Sequence, residues 1–100
     1  MIKTRATPNK SWQDEETVFT FEDENNFFEC RSFGTFKLSY TVHIVKNSEI
    51  SEICKILGHI ASGHFIYTIC DMGNNMLSEH SCPRQAFFEA INLFKKGELN

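Results

Sequence analysis

The sequence predicts an α+β domain of element order β-β-β-α-β-α, with a single antiparallel or mixed four-stranded sheet and two helices packed on one face. Three observations lead there. Apolar and polar residues alternate along the first half of the chain, as in half-buried strands. Two later stretches carry apolar residues at helical spacing, each with capping and stop residues at its ends. One hundred residues, 41% hydrophobic with ten Phe, suffice for one core and not for two.

Residues 1–13 are polar, contain Lys3, Arg5 and Lys10 without an acid, and read as an irregular arm ahead of a single domain at 14–100. Trp12 is expected to anchor the end of that arm, because a lone Trp buries much area. Residues 16–22 (ETVFTFE) are β-branched and aromatic, with Phe19 and Phe21 on one face. Asp and Asn at 23–26 supply turn chemistry, and Phe27–Phe33 (FFECRSF) reads as the return strand of a hairpin. After Gly34, residues 35–46 alternate Phe36, Leu38, Tyr40, Val42 and Ile44 with Lys37, Ser39, Thr41, His43 and Val45. That is one face on a core and one toward water or a partner.

The period then changes to 3.6. Asn47 or Ser48 can cap, Glu49 and Glu52 suit the positive end of a helix, and Ile50, Ile53, Cys54, Leu57, Ile60 and Ala61 form a stripe ended by Gly63. Residues 65–71 are apolar on both faces and read as an interior strand, followed by a loop over 72–80. Ser81 or Cys82 then caps a second helix with Pro83 in its first turn. Phe87, Ala90, Ile91 and Phe94 are its buried stripe, Lys95 and Lys96 suit its negative end, and Gly97 stops it. Strand order, and the choice between monomer and homodimer, are left open by the sequence.

The net charge of −3 hides a polarised chain. Asp14, Glu15, Glu16, Glu22, Asp23, Glu24 and Glu29 fall in a window that contains no Lys or Arg. Charge so concentrated makes a local field and costs stability by self-repulsion. A recognition surface for a basic protein accounts for it: Asp14, Glu15, Glu16, Glu22, Asp23 and Glu24 steer association, and Phe27 and Trp12 anchor it. The expectation is a small acidic inhibitor of the immunity or antitoxin type, occluding the Lys- and Arg-lined site of a nucleic-acid-processing enzyme such as a nuclease toxin. A solvated hairpin whose acids discourage edge aggregation is the plainer alternative.

Other chemistries have weaker support. Arg31, Lys37, Ser39, Tyr40 and His43 could make a basic and aromatic strip on an open sheet face, which suits an accessory module better than direct nucleic-acid binding by an acidic chain. Cys70, His80 and Cys82, the five-spaced Cys54, His59 and His64, and Cys30 or Cys82 with His43 or His80 are the groupings that suggest a metal or thiol enzyme. They lack the tight ligand pairs of small zinc sites, so no metal, cofactor or catalytic residue is expected. Glycines 34, 58, 63, 73 and 97 are too scattered for a phosphate loop. No apolar run approaches membrane-span length and no h-region follows Met1. The widely spaced Cys30, Cys54, Cys70 and Cys82 therefore read as reduced thiols, mostly in the core, of a cytoplasmic protein.

Overall fold

Short turns among the described residues join extended segments that pair with one another, so the sheet grows as a meander. The computed structural model describes residues 15–24, 26–34 and 38–99. It contains β1 (Glu15–Glu22), β2 (Phe27–Phe33), β3 (Ser39–Lys46), β4 (Glu49–Ala61), β5 (His64–Cys70), β6 (Met76–His80) and α1 (Pro83–Lys95). The strands lie in sequence order, every neighbour antiparallel. The arm expected at residues 1–13, with Trp12, lies outside the described residues, as do Asp14 and Lys37.

The α+β class stands, but the four-stranded sheet with two helices is overturned: the sheet has six strands and the described residues hold one helix. The segment expected as the first helix is β4. Asn47 (φ 51°) and Ser48 (φ 68°) are both left-handed, which is a two-residue hairpin turn and not a helix cap. Ser62 (φ 54°) and Gly63 (φ 78°) make the next hairpin turn in the same way, so Gly63 ends a strand. The helical spacing has a specific origin. Val42 pairs with Cys54 but His43 pairs with Glu52, which leaves Ile53 as an extra residue in a bulge. Ile53 and Cys54 are therefore buried side by side, as they would be on a helix face.

The loop expected over 72–80 is half strand. Asp71 closes a short turn by accepting from the backbone N–H of Gly73 and of Asn75, each at 2.9 Å. The Asn75 amide at 3.1 Å adds a third bond. These bonds, those from Asn75 foremost, hold its carboxyl below its ordinary value. Met76–His80 then pairs with β5 as an edge strand, leaving β5 interior as its composition suggested.

The C-terminal helix forms where the sequence places it. Cys82 is its N-cap residue, extended and without a side-chain cap bond, Pro83 opens the first turn, and Gly97 (φ 76°) closes the C-terminus. Phe87, Ala90 and Ile91 are buried as expected and Phe94 is half-buried, with Ala86 and Leu93 added to the stripe. This stripe covers one face of the sheet. Phe87 stacks on Phe19 at 5.9 Å, while Phe88 meets Phe21, and Phe94 meets Phe28, edge-on at 5.7 Å. Beneath them Phe28, Cys30, Val42, Cys54, Ile56 and Ile69 are wholly buried. Gly58 leaves room for a ring. A Cβ there would lie 2.9 Å from Tyr67, its cross-strand partner, and 3.1 Å from Leu38. No helix among the described residues is long and apolar enough to cross a membrane.

Candidate functional site

The acidic window is split by the geometry of β1. Thr17 pairs with Arg31 but Phe19 pairs with Cys30, so a bulge at Val18 reverses the strand's sidedness. Glu16, opposite Ser32, is on the helix-covered side, while Glu22, opposite Phe27, is on the other. Six residues of extended chain also separate them by about 20 Å. Glu29 is committed within the protein, half-buried with an oxygen 2.7 Å from Arg31 Nη2. Glu15 stands opposite Phe33 in the register.

At the far end of the hairpin the acids do converge. Glu22, Asp23, Glu24 and Phe27 line one groove of about 430 Å³, with Asn26, Val45, Lys46 and Asn47 completing its wall. Asp23 has two structural duties there. Its Oδ1 accepts the Asn26 N–H at 2.8 Å, and its Oδ2 lies 2.7 Å from Lys95 at the end of α1. Lys95 also sits 5.5 Å over the Phe21 ring. The turn is thereby pinned to the helix, and Glu22 and Glu24 remain as exposed carboxylates beside the half-buried Phe27. The chemistry this offers is a notch in which Glu22 and Glu24 outnumber Lys46 beside an aromatic wall, matched to a cationic side chain.

The face of the sheet away from the helix holds the second constellation, which the sequence reading located only in part. Cross-strand register places Glu29, His43 and Glu52 in one row and Arg31, Thr41 and Lys55 in the next. Rows of apolar residues flank them, Phe27, Val45 and Ile50 on one side and Phe33 and Leu57 on the other. Thr41 and Thr68 are only 7% and 3% exposed, and their hydroxyls are buried without a hydrogen-bond partner among the described residues, as is Glu52 Oε2. Such groups are uncommon in folded proteins.

Protein-family models, curated proteins and solved structures were all compared with this chain. None matches. Function is therefore argued from its own residues.

Of the predicted contact residues, the fold brings Glu22, Asp23, Glu24 and Phe27 together and sends Glu16 elsewhere. Tyr40 leaves the expected basic strip: it is 4% exposed on the helix-covered side, where burial and the neighbouring Tyr67 and Cys30 push its hydroxyl up to about 12. Arg31, Ser39 and His43 do share the open face. Cys70 and His80 point to opposite sides of the sheet, since Cys70 faces Met76 on the open side and His80 faces Tyr67 on the helix side. His80 lies 2.9 Å from Ser78 Oγ and shares with half-buried Cys82 a cavity of about 650 Å³ at the start of α1. No group of three or more potential metal ligands forms among the described residues. Glu52 and Lys55 fall in the stretch whose spacing predicts a helix and Thr68 in the strand after it, so the sequence does not bring the three onto one face. A period-two reading of residues 54–60, with Gly58 facing a ring, is the signal that could have found them.

Proposed function

We propose that this chain is a small inhibitor of the immunity or antitoxin type, acting in the cytoplasm. It binds a basic nucleic-acid-processing enzyme and blocks its site by occupancy, without chemistry of its own. The observation that carries the reading is the groove in which Glu22 and Glu24 flank Phe27 on a hairpin fixed to α1 through Asp23 and Lys95. A turn already tied to the helix orders little backbone on binding, so the attraction of its exposed carboxylates for Lys or Arg is not spent on ordering a loop. Exposed acids of one sign also speed the encounter with a basic site.

The test compares the natural protein with Glu22→Lys/Glu24→Lys. Proteins captured on each are identified by mass spectrometry, and the activity of the captured enzyme is titrated with each form. The reading expects a basic nucleic-acid enzyme that the natural protein silences at one-to-one stoichiometry and that the double reversal spares. Capture of the same protein by both forms, with equal inhibition, contradicts it.

A further inference from the structure

The open face of the sheet carries a pattern that the groove does not explain. Its two central rows have opposite charge, Glu29, His43 and Glu52 against Arg31, Thr41 and Lys55, and they are adjacent and parallel. Such a pair of rows is complementary to itself. A two-fold axis lying between them, parallel to the sheet and perpendicular to the strands, lays the acidic row of one copy over the basic row of the other. Glu52 then meets Lys55 twice, and the Glu29–Arg31 pair of one copy lies head to tail over that of the other. The same operation sets exposed Ile50 over exposed Leu57 and half-buried Phe27 over exposed Phe33, so apolar residues also find each other. Isologous contacts of this kind are the commonest in homo-oligomers.

We infer that this face is the interface between two copies of the chain, packed sheet on sheet. The Glu52 carboxylate of one copy then faces the Lys55 ammonium of the other. At the roughly 10 Å separation of packed sheets, a Lys and a Glu together span the gap. The molecule is a slab 22 Å thick whose broad face measures 37 × 36 Å, large enough for the about 800 Å² per partner of a stable interface. A sheet with both faces covered also explains why the open side carries Phe33, Leu57 and Ile50 at 38–53% exposure among its charges. The dimer and the inhibitor reading share Phe27, but Glu52 and Lys55 lie outside the groove, so charge reversal there tests the dimer separately from the reversal of Glu22 and Glu24.

Sedimentation equilibrium over a wide concentration range, with circular dichroism to check folding, decides the matter. The natural protein is expected to be a dimer. Glu52→Lys and Lys55→Glu, each placing like charges opposite one another twice, are each expected to weaken it by at least about tenfold. Mixing these two variants restores dimers, because each variant then meets the opposite charge on the other, an outcome that no effect within one chain produces. A monomer at all concentrations overturns the inference, whether the face is covered by another part of the chain or by a different protein. So does a dimer indifferent to both reversals, or a mixture that stays as dissociated as its components.

Discussion

Lys95, in the last turn of α1, holds Asp23, in the turn between β1 and β2, with Nζ 2.7 Å from Oδ2. The contact joins residues far apart in sequence and ties the hairpin that bears the acidic groove to the helix that covers the core. It also means that one acid of the groove is spent on structure. Asp23→Ala removes both this pair and the turn bond to Asn26, whereas Asp23→Asn can keep the latter. Both groups are partly exposed, so the pair contributes no more than about 1 kcal/mol. The expected order of stability in urea is natural protein, then Asp23→Asn, then Asp23→Ala, with Lys95→Ala below Asp23→Asn because it also loses the contact with the Phe21 ring. Equal loss in Asp23→Asn and Asp23→Ala would show that the turn bond contributes nothing.

The hairpin turn at Asn47–Ser48 gives a prediction of the opposite sign. Ser48 is held at φ 68°, a region that costs a side-chain-bearing residue about 1 kcal/mol and costs glycine nothing. Asn-Gly is the preferred pair for such a turn. Ser48→Gly is therefore expected to raise the unfolding free energy by about 1 kcal/mol, read as a higher denaturation midpoint. A helix starting at this position would instead be weakened by the change, so the experiment also separates the strand from the helix that the apolar spacing suggests.

The thiols give a pH dependence. Burial pushes Cys30 and Cys54 from 9.0 up to about 12, and raises Cys70 as well. Between those values the unfolded chain releases protons that the folded chain keeps, so stability falls as pH rises from about 9 toward 12. Each fully buried thiol contributes a slope approaching about 1.4 kcal/mol per pH unit there. Tyr40, raised from 10.0 to about 12, steepens the loss in the upper part of the window. Unfolding midpoints measured from pH 8 to 11 should decline in this manner, and a flat profile contradicts it. At neutral pH, Cys82, the half-buried thiol, should react first with a thiol reagent, with Cys30 and Cys54 reacting only on unfolding.

How much of this was legible follows from which signals are local. The β1–β2 hairpin, the alternation of Tyr40, Val42 and Ile44, and the α1 stripe are each specified within a few residues by period and turn chemistry, and they stand. β4 is different. Its bulge at Ile53 places two consecutive apolar residues inside, and a period-two pattern broken in phase resembles a 3.6-residue one. The four isoleucines of that segment, β-branched and suited to a pleated surface, were the contrary sign. The acidic window was legible as a charge excess, but not its division between two faces, because that depends on the bulge at Val18. The rows of the open face depend on register between strands, which no single segment encodes.

The central claim is that Glu22 and Glu24 recognise a basic enzyme. Calorimetric titration of the captured partner with the natural protein and with Glu22→Lys/Glu24→Lys tests it most directly. A loss of affinity of at least about tenfold, with the variant's unfolding midpoint close to that of the natural protein, is the expected result. Affinity unchanged within about twofold in a folded variant would contradict the claim and remove the groove from the binding surface.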